Sequence, residues 1–129
     1  MNSKYENALE VAKYIVAVDS MLYGQQLEEL LFFAQNAYIS QTGKLLFPDE
    51  FHKTEDGFTI PGVASKIKNE FDARRLARKS TIVRTDMYLE AYITLFKENP
   101  QLFAEPYRIL KEQFTGDVVP NEFFLNALT

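Results

Sequence analysis

The sequence predicts an all-α fold: one domain over residues 1–129, a compact bundle of five or six helices with a short irregular or hairpin-like connector after the second. Three observations carry this expectation. Apolar residues recur at spacings of three and four along most of the chain. Capping residues, glycines and prolines punctuate those runs. The 129 residues are 47% hydrophobic and 14% aromatic, enough for one core at a length where folding buries roughly two-thirds of the unfolded surface.

Ser3 and Glu6 have the spacing of a capping box, in which a hydroxyl and a carboxylate serve the first free amides of a helix. Ala8, Val11, Ala12, Ile15, Val18 and Leu22 follow on one face, so a first helix is expected over about Lys4–Leu22. Gly24 breaks it. The second helix places Leu27, Leu30, Leu31, Ala34 and Tyr38 on one face, and Phe32, Phe33, Ala37 and Ile39 widen the apolar arc, which marks a central helix. Gln35 and Asn36 stand where an ordinary core helix would prefer Ala or Leu. Thr42-Gly43 ends the helix, with Gly43 at the left-handed position.

Leu45–Lys53 has no helical period and reads as an extended connector. Glu55-Asp56-Gly57 is a turn, which allows a minor hairpin pairing residues near Leu46 with residues near Phe58. Pro61 suits the first turn of a third helix with Val63, Ala64, Ile67 and Phe71. The run DARRLARKS either continues that helix as an exposed basic turn or breaks it. A fourth helix is expected over about Arg84–Lys97, with Thr85 as cap and Met87, Tyr88, Ala91, Tyr92, Leu95 and Phe96 along it. Asn99-Pro100 turns the chain. Pro106 then starts a fifth helix with Tyr107, Leu110 and Phe114, stopped near Gly116, and Pro120 begins a short last one with Phe123, Phe124 and Leu128.

Composition excludes several functions. With no Cys there is no disulfide framework, thiolate nucleophile or thiolate metal site. No apolar run approaches the ~20 residues of a membrane span, and the polar N-terminus lacks a signal-peptide layout. A soluble, cytoplasmic protein is expected. The single His52 cannot supply a catalytic zinc site, and five scattered Gly build no phosphate loop. Neighbouring carboxylates Glu28 and Glu29 project about 100° apart on a helix, so they read as solvated charge, as do Asp49 and Glu50 in their turn. No catalytic residue, metal ligand set or cofactor is expected.

Charge is distributed unevenly. Of 14 bases and 18 acids, seven bases (Lys66, Lys68, Arg74, Arg75, Arg78, Lys79, Arg84) and two acids (Glu70, Asp72) lie between 66 and 84, leaving 7 against 16 elsewhere. Arg74 and Arg78 are four apart, as are Arg75 and Lys79, so a helical run projects both pairs on adjoining faces. Two readings of this strip stand on equal terms: a site for an acidic partner or phosphates, or charge that pairs with the acidic remainder of the chain or keeps it soluble.

The stretches NALEVAKYIV, QQLEELLFFAQNAYISQTGKLLFPDEF and DGFTIPGVASKI carry a further signal. The ordered elements are Ala12-Lys13-Tyr14-Ile15, Leu27, Leu30 to Gln35, Thr42-Gly43, Leu46-Phe47, and Gly57 with Pro61 and Val63. Over about residues 5–68 this order resembles the Panacea domain family, which includes SocA-like antitoxins and phage-associated GepA-like proteins. The regularity of the Leu30–Gln35 and Gly43–Phe47 stretches in that family implies that Gln35 is a buried amide with a structural hydrogen-bond partner. Two departures stand out: Glu29 occupies a place where relatives usually carry Lys, and the usual Trp and Gly-Pro-Val turn are replaced by GFTIPGV. The resemblance implies a non-enzymatic protein that binds and neutralises a toxin encoded by a neighbouring gene, in a phage, prophage or toxin–antitoxin setting. Some members deliver the toxin to a protease as adaptors.

Because aromatics and Arg dominate interface energy, the candidate partner-binding residues are Phe32, Tyr38, Arg74, Arg75 and Arg78, with Glu29 added as the departure from the family. For Phe32 and Tyr38, plain core packing is the competing reading. The alternative function is a nucleic-acid-binding or transcription-regulating protein that uses strip 66–84. Against it stands the acidic balance of the whole chain. No membrane partner is expected.

Overall fold

The computed structural model describes residues 3–82 and 84–121. Within them the chain runs α1 (Ala8–Val18), α2 (Gln25–Thr42), β1 (Phe51–Lys53), β2 (Phe58–Thr59), α3 (Pro61–Ala64), α4 (Glu70–Ala77), α5 (Met87–Glu98), α6 (Gln101–Gln113) and β3 (Val118–Val119). The architecture is mostly helical. It is not all-α, because a small antiparallel sheet of order β2-β1-β3 is added to the bundle. The helix expected from Pro120, with Phe123, Phe124 and Leu128, lies outside the described residues.

α2 is the central helix, as its wide apolar arc requires. It packs on α1, α5, α6 and β2. Phe32 is fully buried, its ring stacked on Phe58 at 4.6 Å and met edge-on by Phe51 at 5.2 Å and Tyr107 at 5.4 Å. Gly43 ends α2 at φ 71°. Gln35 has no exposed surface and clamps the exit of the helix. Its Nε2 donates to the Phe47 carbonyl at 2.8 Å, and its Oε1 accepts from the amides of Leu46 at 2.8 Å and Phe47 at 3.3 Å. The amide expected to need a partner thus holds three backbone groups that neither helix nor sheet serves.

Several boundaries differ from expectation. α1 starts at Ala8, not Lys4. Asn7 is its cap, accepting from the Glu10 amide at 3.0 Å, while Asp49 Oδ1 accepts from the Ala8 amide at 2.7 Å. Two of the orphan amides are therefore satisfied without Ser3 or Glu6. Residues 3–5 instead lie along the connector, with the amides of Lys4 and Tyr5 donating to Leu45 and Leu46. Asp49 is thus a structural staple and not a merely solvated carboxylate. At the other end, Asp19 stops α1 before Leu22 and pairs with Lys97 at 2.8 Å.

The hairpin exists with a shifted register: Phe58 pairs with Lys53 and Thr59 with His52, not with residues near Leu46. Gly57 at φ 147° lies so close to Tyr107 that a Cβ there would meet the phenol oxygen at 2.2 Å. β3 pairs Val119 with Phe51 and Val118 with His52, an unforeseen long-range closure. α5 begins at Met87, capped by Asp86 and not by Thr85. α6 begins at Gln101, so Pro106 sits inside it. Burial of Phe103 and Tyr107 against the α2 rings holds that helix together across an exposed proline position.

Candidate functional site

The third predicted helix is broken in two, and the break shapes the surface. α3 stops after Ala64; Asn69 then caps α4, accepting from the Asp72 amide at 2.9 Å. α4 buries Ala73 and Leu76 and packs on α1. The restart puts Phe71 out of phase with Val63 and Ile67, which stay in the core. Phe71 is 74% exposed. At about 100° per residue, Arg74, Arg75 and Arg78 all lie within about 60° of Phe71 around the axis. Phe71, Arg74, Arg75, Arg78 and Lys79 line a shallow cavity of about 440 Å³.

The bases on this face are not equivalent. Arg74 reaches back to Glu70 at 2.5 Å, and Arg75 lies 3.7 Å from Asp72. No ion pair within the described residues engages Arg78 or Lys79. All seven bases of the strip are exposed. The three arginines proposed from sequence are thus brought together, with Phe71 and Lys79 added. A signal for Phe71 was present: Asn69-x-x-Asp72 has cap spacing and resets the helical phase.

The remaining sequence candidates fall elsewhere. Phe32 is core, which withdraws it from any contact surface. Tyr38 is half-buried, its ring 5.3 Å from Tyr88 with the Lys4 ammonium 5.8 Å away. Glu29 and Glu28 are half-buried as well, correcting their reading as fully solvated charge. Burial pushes both carboxyls up from their ordinary value, although Thr59 donates a hydrogen bond to Glu28 that opposes the shift. His52 is exposed on β1.

A second hollow, of about 580 Å³, lies between the N-terminal arm and the start of α5. Its floor is Asp86. Burial works to raise that carboxyl's pKa, but Lys4 at 2.8 Å, the Tyr5 hydroxyl and the Leu89 amide at 3.0 Å outweigh it and hold the pKa below the usual range. Tyr14 extends the network, accepting from the Asp86 amide at 3.1 Å and donating to Glu90 at 2.7 Å. The groups around Asp86 satisfy one another, so the floor of this hollow is a structural junction. The α4 face, with unpaired bases and a bare aromatic ring, is the candidate interaction site.

Among the described residues, no helix is long and apolar enough to cross a membrane, and no group of three or more His, Asp or Glu is placed to hold a metal ion. No protein-family profile, curated protein or solved structure matches the chain.

Proposed function

We propose that this chain is a non-enzymatic protein-binding module that neutralises a cognate toxin or another protein by direct binding, like the Panacea antitoxins it resembles. The observation that carries this reading is the outer face of α4 and its C-terminal end, where a 74%-exposed phenylalanine shares a shallow cavity with four bases. An aromatic anchor ringed by charge is the usual anatomy of an interface centre. The setting that fits is a phage, prophage or toxin–antitoxin locus.

Expression of the gene adjacent to this one in its source genome tests the reading. The neighbour alone should arrest growth, and co-expression of this chain should restore growth and co-purify with the neighbour's product. A variant with Arg74, Arg75, Arg78 and Lys79 all replaced by Glu should lose both effects. A harmless neighbour that never co-purifies would sink the proposal.

One observation favours a second reading: the exposed strip and Phe71 together offer phosphate contacts and a stacking surface for nucleic acid. That reading requires binding of an oligonucleotide that falls steeply with salt. No binding at low salt would eliminate it.

A further inference from the structure

The face of α4 also has a shape and a charge that select among partners, an inference that rests on the reading above. We propose that α4 receives a short acidic segment carrying one apolar side chain, which covers Phe71 while its carboxylates meet Arg78 and Lys79.

The apolar requirement follows from Phe71. It is the only exposed phenylalanine or tyrosine among the described residues, and it lines the cavity with the four bases. Arginine and lysine stems bury well beside an apolar surface while their heads stay in water. A purely ionic partner would leave this ring wet.

The acidic requirement and its geometry follow from the ion pairs. Arg74 and Arg75 are already partnered by Glu70 and Asp72 on their own helix, whereas Arg78 and Lys79 are not. Exposed pairs of this kind contribute little, so an incoming carboxylate competes with Glu70 on nearly equal terms. Arg78 and Lys79 therefore carry the charge recognition, and Glu70 acts as an internal competitor.

The preference for a short segment over a nucleic acid follows from the rest of the molecule. The strip holds seven bases and two acids; the remaining residues hold 7 bases and 16 acids. Screening extends only ~8 Å at physiological salt, so a short segment confined to α4 feels the strip alone. A polyanion running past α4 meets the acidic body. Single-strand binders also use several stacked aromatic platforms, and among the described residues one phenylalanine or tyrosine ring is exposed.

Fluorescence anisotropy with synthetic peptides tests this. The probe is a labelled peptide of repeated Glu with one central Leu, beside the same peptide with Ser for Leu and a single-stranded oligonucleotide of equal charge. The Leu peptide should bind best. Phe71→Ala should weaken it about tenfold, Arg78→Ser or Lys79→Ser about threefold to fivefold and Arg74→Ser less, while Glu70→Gln should tighten it. The idea is overturned if the Ser peptide binds as tightly as the Leu peptide, if Phe71→Ala changes nothing, or if the oligonucleotide outcompetes the peptide. A concentration-dependent dimer lost in Phe71→Ala, seen by sedimentation, would overturn it in favour of a second copy as occupant. The two proposals fail separately. A neighbour's product captured equally by Phe71→Ala leaves the module reading standing and removes this surface. A Leu peptide held through Phe71 with no captured neighbour does the reverse.

Discussion

Phe32 and Phe71 are both helical phenylalanines, and the structure uses them in opposite ways. Phe32 has no exposed surface and sits within about 5.5 Å of four other rings, those of Phe33, Phe51, Phe58 and Tyr107. Phe71 lies 74% exposed on a two-turn helix whose other outward residues are charged. Around Phe32 the apolar rings and the buried amide of Gln35 are partnered, so this part of α2 contributes stability. α4 packs Ala73 and Leu76 against α1, while on its outer face and just past its end an apolar ring, and two bases that engage no ion pair among the described residues, are free to bind. Residue type alone does not separate a core from an interface; helical phase relative to the core does.

The sharpest way to break this contrast is Phe32→Ala. Emptying the centre of the ring cluster should cost about 4 kcal/mol, read as a large drop in the urea midpoint. A loss near 1 kcal/mol would mean that the cluster is not the core. Next is Gln35→Leu, which strands the Leu46 and Phe47 amides and the Phe47 carbonyl without partners. Each buried unsatisfied group costs about 1–3 kcal/mol, so a loss of about 3 kcal/mol is expected, with faster exchange at the Leu46 and Phe47 amides.

Asp86→Asn should cost about 2 kcal/mol at neutral pH, since it weakens a cap and removes the charge that Lys4 and Tyr5 hold. The folded carboxyl titrates below its ordinary value of 3.8, so its contribution is complete above that pH and is lost as pH falls through the folded value. The gap between wild type and variant, followed by thermal melting, should close under acid. A gap that persists undiminished below pH 3 would contradict the assignment.

Glu29 has the opposite sign. Its pKa is raised by burial above 4.5, so ionisation costs stability at neutral pH. Glu29→Gln should raise the melting midpoint near pH 7 and match wild type once the pH falls below 4.5. Smallest of all, Phe71→Ala should change stability by less than about 0.5 kcal/mol while weakening the acidic Leu peptide about tenfold. If it destabilises as Phe32→Ala does, the two phenylalanines are alike and α4 is core.

Much of the bundle was legible beforehand. The stop at Gly43 and the breadth of α2's apolar arc follow from local spacing and local chemistry. The sheet was harder to read, because β3 holds two residues and pairs with β1 across more than sixty positions; nothing in Val118-Val119 announces that partner. The α4 face was half legible. Its three arginines were visible as a charge run. Phe71 was assigned to the inner face because the spacing from Ile67 fits a continuous helix, and the break at residues 65–69 moved it outward.

By itself, the sequence determined where most helices lie, that α2 is the central one and where the positive charge gathers, because periodicity and charge are properties of neighbours along the chain. It did not determine the inner face of α5, where Leu89, Ile93 and Phe96 are buried and Met87 and Leu95 face solvent. Tertiary structure decided where α1 starts, since Asp49 and the connector supplied partners that made Ser3 and Glu6 unnecessary. It also decided that Phe32 closes the core while Phe71 faces solvent. The reason is the same in both cases: a hydrogen-bond partner or a packing surface contributed by a distant segment outweighs a local preference of about 1 kcal/mol.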